Sequence, residues 1–84
     1  MKKEYTFSKI KTEDVTVDFE RLLEDIVSDN PELDENDIYD EFGNNAGYYL
    51  NMQLGYDPYD VFYECDDIIE EIWRDFGVYL EQNV

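Results

Sequence analysis

The stretch that decides the fold is DPYDVFYECDDIIEEIWRDFGVYL, residues 57–80. Asp57 stands before Pro58, and a carboxylate cap followed by a proline at the first helical position is a typical helix start. Apolar side chains then recur with the period of one helix face, which predicts one long helix over 58–82. This face consists of Val61, Cys65, Ile68, Ile69, Ile72, Phe76 and Leu80.

Upstream of this stretch, a first helix is predicted over 16–28, with Thr16 as its N-cap. It would end at Asn30, because a residue that precedes proline is pushed out of the helical region of backbone space. Its apolar side chains again follow the spacing of one helix face. They are Phe19, Leu22, Leu23, Ile26 and Val27.

A middle helix is predicted over 35–54. Asp34 as N-cap and Asp37 at the third helical position form an acidic variant of the capping box, and Gly55 is a natural stop. Gly43 and Gly47 lie one turn apart inside this helix. Either another element packs closely there, within the chain or across a homodimer, or the helix breaks near residues 43–45.

The N-terminal segment alternates apolar and polar residues over positions 4–10, with Tyr5 and Phe7 on one side. This pattern fits a short strand, or an extended arm that packs its aromatic rings on the helices. A chain of 84 residues has room for one small core. We therefore predict a single, mainly α domain over 1–84: a small three-helix bundle with a short N-terminal extended or β segment.

The charge balance is extreme: 23 Asp and Glu against 6 Lys and Arg, without His, give a formal net charge of −17. Four of the six bases lie within residues 1–11, so the rest of the chain has only Arg21 and Arg74. Such a chain repels phosphates, which argues against direct binding to nucleic acid or to anionic membranes. Disordered acidic tails are poor in aromatic residues, whereas 17% of this chain is aromatic, so we expect a folded protein.

Catalytic and cofactor chemistry finds little support in the residues. A cysteine nucleophile needs a cationic neighbour, and Cys65 falls on an apolar helix face in acidic surroundings. An EF-hand loop starting at Asp34 would place Ile38 and Tyr39 where a ligand and a glycine are required. We expect no enzyme, no cofactor and no dedicated metal site. The single cysteine and the lack of a secretory signal pattern suit the cytoplasm.

The acidic surface is the remaining candidate site. On a helix over 58–82, five acids would keep one row opposite the apolar face: Asp60, Glu64, Asp67, Glu71 and Asp75. The middle helix adds Asp37, Asp40 and Glu41, and Tyr59 and Tyr63 are predicted interface anchors. An ordinary solvated face mixes both signs of charge. Because this one tolerates repulsion at every such spacing, we interpret it as a surface that binds a basic protein.

Size, acidity and carboxylate rows on helices together resemble the small acidic phage and mobile-element proteins that mimic DNA, including anti-CRISPR, anti-restriction and uracil-DNA glycosylase inhibitors. Residues 36–46, followed by Tyr48 and Tyr49, also resemble the acidic helix and aromatic pair of a phage anti-restriction protein. The resemblance implies an inhibitor, monomeric or homodimeric, that occupies the nucleic-acid-binding groove of a Cas effector or restriction enzyme in the infected bacterial host. Two alternatives stay open: an acidic adaptor or antitoxin-like module that binds a basic partner without mimicry, and a cation-dependent acidic domain.

We expect the melting temperature at pH 7 to rise by about 5 °C between 10 mM and 0.5 M NaCl, because salt screens the self-repulsion of the folded state. Thermal circular dichroism measures it. Micromolar CaCl₂ added at constant ionic strength is the control, and a large gain from it would favour the cation-dependent alternative. A melting temperature that does not change with the NaCl concentration would contradict the prediction.

Overall fold

The computed structural model describes residues 2–8, 12–62 and 64–83. Its strands are β1 (Lys2–Ser8) and β2 (Thr12–Asp18). Its helices are α1 (Phe19–Asp29), α2 (Glu35–Asn44), α3 (Ala46–Leu54), α4 (Pro58–Val61) and α5 (Asp66–Asn83). The prediction of a mainly α fold with an N-terminal β segment is confirmed. Over the described ranges, however, five helices replace the three-helix bundle.

The two strands form an antiparallel sheet in which Lys2 pairs with Asp18 and Tyr5 with Val15. Their alternation buries Tyr5, Phe7, Val15 and Val17 on one face. The prediction of Thr16 as a helix N-cap was wrong, because Thr16 lies within β2. The β-branched run of residues 15–17 favours a strand, and the cap of α1 is Asp18, whose carboxylate accepts a bond from the Arg21 amide at 3.3 Å. Positions 9–10 of the predicted segment lie outside the described residues.

The predicted middle helix divides at Asn45, whose backbone leaves the helical region at φ −135°. Both alternatives predicted for Gly43 and Gly47 are correct: the helix breaks, and other parts of the same chain pack closely on the two glycines. A Cβ on Gly43 would lie 2.7 Å from the Trp73 ring, and one on Gly47 would lie 2.7 Å from the Asp57 carboxylate. The predicted N-cap at Asp34 and the predicted stop at Gly55 are confirmed. Asp34 accepts a bond from the Asp37 amide at 2.9 Å, and Gly55 ends α3 at φ +83°.

The predicted long helix over 58–82 was wrong as one element. Asp57 and Pro58 do start a helix, but α4 ends after one turn, and Phe62 has extended backbone. Glu64 follows with a positive φ of 50° before α5 begins. The break allows the Phe62 ring to stack on Phe7 of the sheet, with ring centroids 4.5 Å apart. The two buried rings therefore join the helices to the hairpin, and this aromatic burial favours the break over helix continuity.

Helices α2 and α5 interlock through two aromatic rings and two glycines. Tyr39 and Trp73 stack with centroids 4.6 Å apart, and Trp73 Nε1 donates to the Tyr39 carbonyl at 2.8 Å. The Trp73 ring lies over Gly43 and the Tyr39 ring over Gly77. Because Tyr39 precedes Gly43 on α2 while Gly77 follows Trp73 on α5, the two helices run antiparallel. Among the described residues, no helix combines the length and the apolar character needed to span a membrane.

We expect Gly43→Ala to lower the free energy of unfolding by about 1 kcal/mol. Stacking and a hydrogen bond hold the Trp73 ring in place, so the added methyl group overpacks this site, which costs about 1–3 kcal/mol. The better helix propensity of alanine offsets about 1 kcal/mol of this cost. Urea unfolding followed by emission of Trp73, the single tryptophan of the chain, measures this.

The control for Gly43→Ala is Asn44→Ala at the exposed neighbouring helical position. We expect it to change the stability by no more than about 0.5 kcal/mol. A Gly43→Ala protein as stable as the wild type would show that the ring can move without loss.

Candidate functional site

The carboxylates of this protein all lie at or near the surface. Each of the 23 Asp and Glu side chains is exposed or half-buried, and none is fully buried. Within the described residues, few of them have a cationic partner. The ion pairs there are Lys3–Asp75 at 2.7 Å, Arg74–Glu70 at 2.7 Å and Arg21–Asp25 at 3.9 Å. Most of the negative charge is therefore not neutralised by any described ion pair.

The predicted row of five acids is interrupted. Asp60 lies on α4 and Glu64 lies in the connection with positive φ, so neither is on the helix that carries Asp67 and Glu71. All four side chains are exposed, and their carboxylates make no hydrogen bond to the described part of the chain. After Glu71 the outer face of α5 continues with Arg74 and the exposed Val78. Arg74 and Val78 thus separate the acids of the first turns from the exposed Glu81 in the last turn of this face.

Asp75, the fifth member of the predicted row, is turned toward the sheet. One of its oxygens, Oδ2, accepts from Lys3 Nζ at 2.7 Å and from the Tyr5 hydroxyl at 2.6 Å. Partial burial acts to raise the pKa of Asp75, but these two hydrogen bonds outweigh it and hold the pKa below its ordinary value. Burial and the nearby Asp75 also raise the pKa of Tyr5. Asp75 therefore fastens α5 to β1, and it is not a free member of a binding row.

The three acids predicted on the middle helix divide in the same way. Asp37 and Asp40 are exposed on α2, but Glu41 is half-buried. The Glu41 carboxylate accepts from the Tyr49 hydroxyl at 2.8 Å and from Asn45 Nδ2 at 3.2 Å. Burial, followed by the bond to Glu41, raises the pKa of Tyr49 to about 12, so its hydroxyl stays a proton donor. Glu41 thus holds the junction of α2 and α3.

Of the two predicted tyrosine anchors, Tyr59 is 48% exposed on α4, whereas Tyr63 lies outside the described residues. Tyr59 lines a small cavity that sequence reasoning missed, together with Asp66, Glu70 and Trp73. The last three follow one another at i, i+4 and i+7 and thus share one side of α5. That spacing was present in the sequence, but the contribution of α4 depends on the helix break.

A larger cavity of about 350 Å³ lies between α2 and the C-terminal half of α5. Its lining includes Glu35, Tyr39, Arg74, Val78 and Glu81, so it contains both signs of charge. Its volume is at the lower end of the range of small-molecule sites.

The described residues contain no group of three or more metal-ligating side chains that could hold a metal ion. Cys65 is buried, and its thiol contacts the Pro58 carbonyl at 3.7 Å. Burial and the charge of Asp66 raise the pKa of this thiol, which keeps it protonated at neutral pH. Cys65 thus lies in the core, as expected for a member of the predicted apolar helix face, and the geometry does not activate it as a nucleophile.

Fold and surface together define a class: a small, mainly helical protein with an acidic surface that described cations neutralise only in part. Comparison of the chain with protein-family models, with curated proteins and with solved structures finds no match. The functional argument therefore depends on the geometry of the chain itself.

We expect Asp75→Asn to lower the free energy of unfolding by about 1 kcal/mol at pH 7, because the charge-assisted part of its hydrogen bonds is lost. The folded-state pKa of Asp75 is lowered, so its contribution is complete above the pKa of an unfolded Asp, about 3.9, and disappears as the pH falls through the folded-state pKa. Urea unfolding of both proteins from pH 3 to pH 7 measures the difference.

Asp67→Asn is the matched control for Asp75→Asn, because Asp67 is an exposed acid on the same helix. We expect no loss of stability from it at any pH. A difference between Asp75→Asn and the wild type that stays constant down to pH 3 would contradict the assigned role.

Proposed function

We propose that this chain inhibits a bacterial defence nuclease, a restriction enzyme or CRISPR–Cas effector, by occupying its nucleic-acid-binding groove. The observation that supports the proposal most is the surface location of all 23 carboxylates. A groove that binds DNA presents Lys and Arg side chains to phosphates. Carboxylates that lack cationic partners in the described chain can occupy those positions.

The helical scaffold favours this function over a disordered acidic tail. Carboxylates on helices are held in place, so binding them orders fewer side chains and loops. Charge of one sign also steers a partner of opposite charge and accelerates association, in a salt-sensitive manner. The long axis of the protein measures 40 Å, the axial length of about 12 base pairs of duplex.

The carboxylates that we propose for target contact are the members of the predicted set that accept no hydrogen bond holding the fold together. On α4, α5 and their connection these are Asp60, Glu64, Asp67 and Glu71, and on α2 they are Asp37 and Asp40. Asp75 and Glu41 leave the predicted contact set, because their carboxylates accept the hydrogen bonds that hold α5 to β1 and α2 to α3.

The first experiment immobilises the protein, passes bacterial lysate over it, and elutes in parallel with duplex DNA at constant ionic strength and with a salt gradient. We expect DNA to release a nuclease or Cas complex, which mass spectrometry identifies. A basic protein that resists DNA but leaves with salt would favour the adaptor or antitoxin-like alternative. If the column retains nothing, the acidic surface has no such target in that lysate and the proposal fails there.

The second experiment measures DNA cleavage by the captured nuclease in the presence of a charge-reversed variant. Replacement of Asp60, Glu64, Asp67 and Glu71 by Lys should abolish inhibition and leave the helical circular dichroism signal intact. The control replaces Glu4, Glu13, Glu24 and Glu32, four exposed acids of the hairpin, α1 and the α1–α2 connection, by Lys. Both variants change the formal net charge from −17 to −9.

We expect the control variant to retain most of the inhibition, because it leaves the α4–α5 surface unchanged. Equal inhibition by both variants would refute the proposed placement of the contact surface. Equal loss in both would mean that only the total charge matters.

A further inference from the structure

We infer that the small cavity between α4 and α5 receives an arginine side chain of the target protein. This inference rests on the proposed function and specifies the chemistry by which the target is recognised. The cavity has a volume of about 130 Å³. Its lining consists of Gly43, Ala46, Tyr59, Asp66, Ile69, Glu70 and Trp73.

Two aromatic side chains supply the first element of recognition. Tyr59 is 48% exposed at the cavity, and Trp73 is half-buried. The Trp73 ring is already fixed, because it stacks on Tyr39 at 4.6 Å and donates from Nε1 to the Tyr39 carbonyl. A cation gains energy over the faces of tyrosine and tryptophan rings, and a fixed ring loses little freedom when the cation binds.

Two carboxylates supply the second element. Asp66 and Glu70 are one turn apart on α5, and both are exposed. Asp66 and Tyr59 both line the cavity, and burial together with the charge of Asp66 raises the pKa of the Tyr59 hydroxyl. Ring and carboxylates together select arginine rather than lysine, because only the guanidinium is planar, stacks on aromatic rings and offers a fork of donors to carboxylates.

The size and the apolar residues of the cavity fit one side chain. About 130 Å³ is well below the volume of sites for drug-sized ligands. Ala46 and Ile69 add buried apolar surface to its lining. Such surface suits the methylene stem of an arginine whose charged head stays near the carboxylates.

One carboxylate of the cavity already binds a guanidinium within the chain. Glu70 Oε1 accepts a hydrogen bond from the Arg74 guanidinium at 2.7 Å, and both side chains are largely exposed. An exposed pair of this kind is weak, so a guanidinium from the target can displace Arg74. Arg74→Gln should therefore strengthen binding about twofold, because it removes the internal competitor.

The test titrates the 84-residue chain with a synthetic peptide of alternating arginine and glycine, and with its lysine counterpart. Trp73 emission reports occupancy, since Trp73 is the single tryptophan and lines the cavity. We expect a saturable change with the arginine peptide and about fivefold weaker binding of the lysine peptide. Equal affinity for both peptides would overturn the assignment to arginine.

Matched variants separate the cavity from the general charge. Tyr59→Ala should weaken binding of the arginine peptide about fivefold, and Asp66→Asn with Glu70→Gln about tenfold. Their controls are Tyr48→Ala, at a tyrosine that is 55% exposed on α3, and Glu20→Gln with Glu24→Gln on α1. Both controls should bind within about twofold of the wild type. Tyr59→Phe should bind like the wild type, because it keeps the ring.

The outcomes distinguish this inference from the proposed function. If the cavity variants and the control variants bind the arginine peptide equally and Trp73 emission does not change, the cavity is not the arginine site. Release of the target by DNA would still support mimicry in that case. If DNA fails to release any target but the cavity variants lose the peptide, mimicry fails and the arginine site remains. Circular dichroism of Tyr59→Ala and Tyr59→Phe shows whether a loss is due to misfolding.

Discussion

The aromatic core has to hold together a chain whose charges repel one another. Phe19 and Phe42 both pack on Phe76, at ring-centroid distances of 6.1 Å and 5.3 Å, and Phe7 stacks on Phe62 at 4.5 Å. These contacts do not depend on charge, so neither the surface acids nor their screening changes them directly. Because none of the charged side chains that the structure describes is fully buried, the core and the acidic surface are separate, and the surface can be varied while the core is kept.

A chain with few cations needs other donors for the carboxylates that serve its fold, and tyrosines provide them. The Tyr5 hydroxyl donates to Asp75 at 2.6 Å and the Tyr49 hydroxyl to Glu41 at 2.8 Å. Tyrosine is abundant here, with eight residues. The rings of Tyr5 and Tyr49 lie in the core while their hydroxyls bind surface carboxylates, so each residue serves both parts of the fold.

Local signals in the sequence predicted local structure well. Asp34 capped its helix as expected, because a cap depends only on residues within one turn of it. Thr16 was assigned wrongly, because a strand is fixed by its partner elsewhere in the chain. The break after α4 likewise depends on Phe62 meeting Phe7 of the sheet. The carboxylate row assumed an unbroken helix, so it failed where the helix did, and nothing near Asp75 in the sequence indicates Lys3, 72 residues away.

The tyrosine hydroxyls have a consequence for the electric field outside the protein. An ion pair cancels one negative charge, whereas a hydrogen bond from a neutral hydroxyl satisfies a carboxylate and leaves its charge in place. Glu41 is fastened in this way, and Tyr49 keeps its proton because its pKa is about 12. The hydrogen bond from Tyr49 therefore leaves the full negative charge of Glu41 in place. That charge still attracts a partner at a distance of one Debye length, about 8 Å at physiological salt. The protein gains rigidity at this junction without becoming less negative.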